Sequence, residues 1–361
     1  MAAERKKRHW LSRLSFGTVS LLFSGLLLLS YLSVVVDPAK AWFFTLFGLL
    51  YFPVLVIMLI LFIWSVFRRS RMRGLLLVML LPSLFLFGKY YQFKGPSDET
   101  PASLKVVSYN VGLFAHGDHP EDRLALADTV SAYLRKTGAD IICLQEFYLP
   151  AKTGIGPWLR KHFPGYEADY YVLTGKEGQF GNVTLSRRKV TAKGKIDFEK
   201  STNMALWTDV RLDSTTIRLF NCHFESYNIS LSGLVKKAGE EGIVEETEQK
   251  MRRSINERPK QVAEVLKEVD AAPVRSAVLG DFNDNPLSYT CFRLSRGRKD
   301  SFVEAGKGFG ATYRSLWPLL RIDYILYPQD LKAVSHKVDK VKYSDHYPVI
   351  ATYYETGRNL R

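Results

Sequence analysis

The residues best suited to chemistry in this chain lie in the stretch AVLGDFNDNP, Ala277–Pro286. Apolar residues run into Gly280, Asp281 and Asn283 follow two positions apart, and Asn285-Pro286 breaks the segment. The pattern predicts a short buried strand ending in a turn, because Asn and Pro do not continue a central strand. Alternation along a strand puts Asp281 and Asn283 on the same side. A carboxylate able to act as base or metal ligand is then aimed together with an amide that donates hydrogen bonds. Taken alone, the segment reads equally well as a strand closed by an Asx turn.

Four other stretches have the same form, an apolar run that ends in polar residues. VVSYN delivers Asn110, IICLQE delivers Glu146, LFNCHFES delivers His223, and IDYIL carries Asp323. A fifth, KYSDHYPV, sets Asp345 beside His346 in a polar break before an apolar strand. Together they supply oxygen ligands and imidazoles, a collection that suits a hard cation such as Mg²⁺ or Mn²⁺ plus acid–base chemistry. No cysteine cluster is available for zinc. Cys143 and Cys222 sit in apolar strand patterns as small core residues, and Cys291 has no evident partner.

In this order the motifs resemble the endonuclease/exonuclease/phosphatase superfamily, over roughly Leu104 to Tyr354. GDFN and SDH are the specific elements, and Gly181-Asn182 with Leu185-Ser186-Arg187 resembles a further segment. The resemblance implies a two-sheet α/β sandwich whose active-site residues gather at one edge. It implies Glu146, with Asn110 and Asp345, as the metal environment, and Gln145 as a support for Glu146. Asp281 would orient or deprotonate the attacking water, and Asn283 would donate to the phosphate. His223 and His346 would contact the phosphate, His346 being polarised by Asp323, and Asn182 would bind or support the phosphate. The implied reaction is metal-assisted hydrolysis of a phosphoester by in-line attack of water.

The elements that must carry these residues are legible in outline. Lys105–Tyr109 predicts a strand, Glu121–Thr137 a helix by its 3.6-residue period, and Asp140–Leu144 the next strand, an α/β opening. Tyr170–Leu173, Val183–Leu185, Ala205–Val210 and Ile217–Cys222 predict antiparallel strands. Ser226–Asn256 reads as an irregular or helical excursion, and Pro259–Val269 as a helix.

The chain of 361 residues has a net charge of +14, but 12 of its 50 Lys and Arg fall in residues 1–95 against only 2 acidic groups. The rest is nearly balanced, 38 against 34. The basic excess therefore marks membrane topology before it marks a nucleic-acid partner. Phe16–Val36 and Ala41–Phe67 carry no charge over 21 and 27 residues, long enough to cross a hydrocarbon core of about 30 Å. A third run, 74–93, is interrupted by Pro82. Basic residues before the first run and at 68–73 place both in the cytoplasm. Three spans (16–36, 41–67, 74–93) then put the domain at 104–361 on the extracytoplasmic side, and two would leave it inside. A cleaved signal peptide fits less well, because its apolar region is too long and another follows. Residues 94–103 read as a polar linker that keeps the domain near the bilayer.

These observations favour a membrane-anchored phosphoester hydrolase acting on a small or lipid-linked phosphoester, such as a phospholipid headgroup. A DNA or RNA nuclease is less favoured, since the domain lacks a broad basic surface with interleaved aromatics. A non-catalytic receptor for a phosphorylated ligand is the alternative from another class. No protein partner is deducible.

Overall fold

The computed structural model describes residues 2–96, 104–116, 122–213, 215–227 and 242–355, apart from the side chains of 2–14 and 355. The chain divides into two units, Met1–Gly88 with Leu287–Phe292, and Lys89–Pro286 with Arg293–Arg361.

The first unit is helical: Ala2–Leu32, Phe44–Leu49, Tyr51–Phe67, Met72–Leu80 and Ser83–Leu86. From Ser15 on, these helices are rich in Leu, Phe, Ile and Val, and large side chains stay uncovered, among them Ile60, Phe67 and Phe85. Two helical segments, Ser15–Leu32 and Met72–Lys89, are long and apolar enough to cross a membrane, and Tyr51–Phe67 is shorter. The boundaries differ from the sequence expectation. The first helix stops at Leu32 rather than Val36, and the second apolar run is split at Leu50. The third run is divided at Leu81-Pro82, where proline removes a backbone donor, and its last residues leave the helix altogether.

Those last residues form strand β1 (Tyr91–Gln92) of the second unit, which begins at Lys89. Gly95 N donates to Gly306 O, so part of the expected linker packs on this unit, while 97–103 lie outside the described residues. The strands that follow are β2 (Leu104–Asn110), β3 (Ile141–Pro150), β4 (Glu167–Thr174), β5 (Gly178–Ser186), β6 (Val190–Asp197), β7 (Met204–Arg211) and β8 (Thr216–His223). Then come β9 (Ser276–Asp281), β10 (Arg298–Asp300), β11 (Gly308–Phe309), β12 (Asp323–Pro328), β13 (Leu331–Val338) and β14 (Val349–Glu355).

Two six-stranded sheets result, ordered β13-β14-β2-β3-β5-β4 and β10-β12-β9-β8-β7-β6, with β1 pairing β11 separately. Each has one parallel pair at its centre, β2 with β3 and β8 with β9. A parallel pair needs a crossover, supplied by the helices Arg123–Lys136 and Ile243–Asp270. The first begins where the Asp122 side chain accepts from Ala125 N at 2.9 Å. The second runs unbroken through Pro259, so the helix expected from that residue is only its last part. Of the expected excursion, 226–227 and 242–256 are described, and the latter largely belong to this helix. Leu231, Leu234, Val235, Lys236 and Lys237 lie outside the described residues. Strand β6 was not anticipated, because its Lys193 and Lys195 dilute the apolar pattern, as suits an edge.

One core lies between the sheets, with Val106, Cys143, Leu219, Leu279 and Ile325 at its centre. A second lies outside the first sheet, where Ala127, Val130 and Leu134 meet Val107, Ile142 and Val183. The architecture is an α/β sandwich of two mixed sheets packed with helices.

Candidate active site

The apolar core between the sheets counts out the position of the site. Val106, Cys143, Leu219, Leu279 and Ile325 face inward, and side chains alternate along a strand. Stepping by two from each reaches Asn110, Gln145, His223, Asp281 and Asp323. These polar residues therefore continue the inner faces to one end of the sandwich. Register brings three of them level: His223 pairs with Asp281 across β8 and β9, and Asp281 with Asp323 across β9 and β12. Gly280 makes that close pairing possible. Its φ is +127°, and a Cβ there would sit 2.0 Å from the Cys222 carbonyl oxygen.

Glu146 arrives by a different device. By alternation it would point outward, opposite to Gln145. The β3–β5 register shifts between Leu144 and Phe147, and Glu146 itself has φ +49°. This bulge turns its carboxylate towards the inner edge, at the strain a left-handed non-glycine residue carries. Gln145 does not support Glu146 as expected. Its Nε2 donates to Asn221 Oδ1 at 2.7 Å. Asn221 in turn donates to the carbonyls of Leu144 (3.2 Å) and Val183 (3.0 Å), groups at the start of the bulge. Sequence reading missed Asn221, although an amide inside the apolar run LFNCHF was a signal for it.

Side-chain contacts join the set. Asn110 Nδ2 donates to Glu146 Oε1 (3.1 Å) and to Asp281 Oδ2 (2.9 Å). His223 Nε2 lies 3.4 Å from Glu146 Oε1 and 3.8 Å from Asp281 Oδ2, and is buried without a hydrogen-bond partner. His346 Nδ1 meets Asp323 Oδ2 at 2.9 Å, while its Nε2 is 3.7 Å from Asp281 Oδ2. Two imidazoles thus converge on one carboxylate without bonding to it, which leaves both Nε2 atoms able to donate to a third group. Burial opposes charge on His346, but the carboxylates of Asp323, Asp281 and Asp345 outweigh it and hold the pKa well above the ordinary histidine value. Burial, reinforced by Asp323, raises Asp281, while His346, His223 and the Asn110 amide work against that rise.

Three expected residues are placed differently. The strand ends at Asp281, so Asn283 is not beside it on a strand face. Asn283 has φ +51°, its N–H donates to Asp281 Oδ1 at 2.8 Å, and its amide Nδ2 donates to Phe224 O at 2.8 Å. It holds the turn and Asp281. Asn182 commits Nδ2 to the carbonyls of Met204 and Asn221, with Oδ1 buried and unpaired. Its donors are therefore occupied by backbone and not directed to a phosphate. The Asp345 carboxylate is engaged by Ser344 Oγ (3.2 Å) and lies 3.3 Å from His116 Nε2, a residue the sequence did not single out. No hydrogen bond among the described residues joins it to Asn110 or Glu146.

The crossover helix is locked to the site by Arg258, which was also missed. Its guanidinium donates twice to Glu225 O (3.0 and 2.9 Å) and lies 3.1 Å from Asp284 Oδ2, fully buried. A cleft of about 540 Å³ opens on the group, its lining including Glu146, Asn182 and His223.

The donors suit a hard divalent cation. Glu146 and Asp281 present carboxylate oxygens, Asp323 Oδ1 is buried without a partner, and no thiolate is among them. Ligand atoms of Asp281, Asp323 and His346 all lie within 4.8 Å of one another. Because His346 Nδ1 is taken by Asp323, its Nε2 is the ring nitrogen left for a further group.

Comparison with known proteins bears on the family and the fold. The model of the Endonuclease/Exonuclease/phosphatase family matches residues 107–346, and that of a Domain of unknown function (DUF8431) matches residues 12–90. No curated protein matches. Among solved structures, the endonuclease/exonuclease/phosphatase from Beutenbergia cavernae DSM 12333 is similar over 72% of this chain and 74% of its own, at 18% identity and TM-score 0.52. An endonuclease/exonuclease/phosphatase family protein from Leptotrichia buccalis C-1013-b is similar over 70% and 99%, at 18% identity and TM-score 0.50. The endonuclease/exonuclease/phosphatase from Bacteroides vulgatus is similar over 70% and 98%, at 16% identity and TM-score 0.50. At these identities the likeness is one of fold.

Proposed function

The chain belongs to the endonuclease/exonuclease/phosphatase family, and from that premise we propose that it is a membrane-anchored, divalent-metal-dependent hydrolase of a small or lipid-linked phosphoester. The observation that carries this is the level set His223, Asp281 and Asp323, faced by Asn110 and Glu146. Asp281 takes the proton of the attacking water. His223 and His346 donate through Nε2 to the phosphoryl oxygens, where negative charge grows in the transition state. Asp323 fixes the His346 tautomer with its proton on Nδ1 and favours the charged ring. Glu146, with Asn110 orienting it, Asp281 and the open Asp323 Oδ1 would hold the cation, and Asp345 stands as an outer contributor. When bound, such an ion supplies Lewis-acid polarisation of the phosphoryl and leaving oxygens.

A lipid-linked or small substrate is favoured by the near-balanced charge of the family domain and by the uncovered apolar helices that precede it. The basic residues at 5–13 and 68–73 support an extracytoplasmic catalytic unit. The test uses the full chain in detergent micelles with bis(p-nitrophenyl) phosphate. Hydrolysis should stop with a chelator and return with Mg²⁺ or Mn²⁺. Metal-independent turnover, or none under any metal, would refute the reading.

A further inference from the structure

The cleft beside the catalytic group has more positive charge than one scissile phosphate requires. Besides Glu146, Asn182 and His223, its lining includes Lys200, Lys250 and Arg253. They come from separate elements. Lys200 lies in the turn between β6 and β7, while Lys250 and Arg253 are three apart on one face of the helix Ile243–Asp270. None takes part in the chemistry assigned to Asp281, His223 and His346.

Two details argue against an idle surface. Lys200 has φ +56°, an uncommon left-handed conformation for a lysine, and its exposed ammonium is only weakly held, 3.5 Å from the equally exposed Glu199. Arg253 is not consumed by the acid closest to it. Its Nε is 3.9 Å from Glu225 Oε1, beyond hydrogen-bonding range, while Glu225 Oε2 accepts from Ser201 Oγ (2.7 Å) and Gln261 Nε2 (3.4 Å). Arg253 Nη2 donates to Lys200 O at 3.5 Å, and the guanidinium keeps most of its other donors for solvent or a ligand. Lys250 bonds Glu246 at 2.6 Å, but both are about half exposed and such a surface pair is readily exchanged for a stronger anion. Leu113, Phe180 and Met204 give the same cleft an apolar wall, and its volume is that of a small-molecule site.

We propose that Lys200, Lys250 and Arg253 form a subsite for a second phosphate, so that the preferred ligand carries two phosphates joined by a short carbon linker. The inference rests on the phosphoester reading above and names its substrate class. The shared chemistry is a bisphosphate, whether soluble or carried on a diacylglycerol.

The experiment measures binding calorimetrically on the full chain in detergent micelles, without divalent metal. Glycerol 1,3-bisphosphate is compared with glycerol 3-phosphate, for the native protein and for the Lys250→Gln/Arg253→Gln double variant. The native protein should prefer the bisphosphate by about tenfold or more, and the variant should lose that preference. Lys250→Arg should retain it, and Lys200→Gly, which keeps the backbone turn, should lower it. Equal affinities in the native protein, an undiminished ratio in the variant, or parallel loss of both affinities would overturn the subsite. A preference in a protein that hydrolyses nothing would uphold the subsite and refute the hydrolase, and turnover without preference would do the reverse. The bisphosphate on diacylglycerol in mixed micelles separates the sources, tighter binding there identifying a lipid. A single-stranded oligonucleotide that outcompetes both bisphosphates would overturn the ligand class.

Discussion

Asp281 shows how much of the chemistry rests on single side chains. It accepts from Asn110 Nδ2 and Asn283 N, and two imidazole nitrogens stand just beyond bonding distance. Asp281→Asn keeps the shape but removes the base and one cation donor. Turnover should fall by about 10²–10⁴-fold with little loss of stability, as read by steady-state kinetics beside a denaturant titration. Asp323 acts through His346, so Asp323→Asn with His346→Ala should be scarcely worse than His346→Ala alone. Independent, multiplicative losses would assign Asp323 to the metal or the fold. A histidine remote from the site gives a pH prediction. His336 is buried, its Nδ1 2.8 Å from Ser301 Oγ, its Nε2 unpaired and its ring against Phe302. Burial, aided by Arg321 and opposed by Asp300, lowers its pKa to about 3. The folded chain then keeps it neutral while the unfolded chain binds a proton below about pH 6.5. Its contribution is complete above that pH and is lost as pH falls towards 3, amounting to about 2 kcal/mol by pH 5. His336→Gln should flatten the dependence of the urea midpoint between pH 7 and pH 5 by that amount.

At the scale of elements, strand ends do the positioning. The parallel pair β8–β9 is close enough at Cys222 and Gly280 that no side chain fits. Gly280→Ala should cost about 2 kcal/mol or more and displace Asp281, seen as a lowered denaturant midpoint together with lost turnover. The crossover helix is held by Arg258, whose removal takes the cationic partner from the buried Asp284 carboxylate and two donors from the Glu225 carbonyl. Arg258→Met should therefore destabilise by about 3–5 kcal/mol, measured in the same way. Apolar runs that end in Asn110, His223 and Asp281 were readable because alternation and burial act locally. The β3 bulge was not, since it depends on β5 and on the Asn221 amide arriving from the other sheet.

At the scale of the whole molecule, charge and hydropathy divide the chain before any fold is considered. Two helices are long and apolar enough to cross a membrane, and the arginines at 68, 69, 71 and 73 follow an apolar helix of 17 residues. If three segments span, a reporter fused after Arg361 should be extracytoplasmic and one fused after Arg71 cytoplasmic. Two internal reporters would mean that the segment at 72–89 does not cross, and the accessible phosphoesters would then be cytoplasmic ones.

The sequence by itself determined the chemical inventory of this protein, its apolar N-terminal runs, and the strand ends that carry Asn110, His223, Asp281 and Asp323. Each of these depends on neighbours within a few residues, through periodicity, turn formers and the length of uncharged runs. Only the tertiary structure decided which atoms meet. It turned Glu146 inward through a bulge, spent the Asn283 and Asn182 amides on backbone carbonyls, and drew Asp345 to His116. It also set Lys200, Lys250 and Arg253 around the cleft that opens beside Glu146. Those outcomes hinge on hydrogen-bond partners supplied by segments far away in the chain, which a local pattern of residue types does not encode.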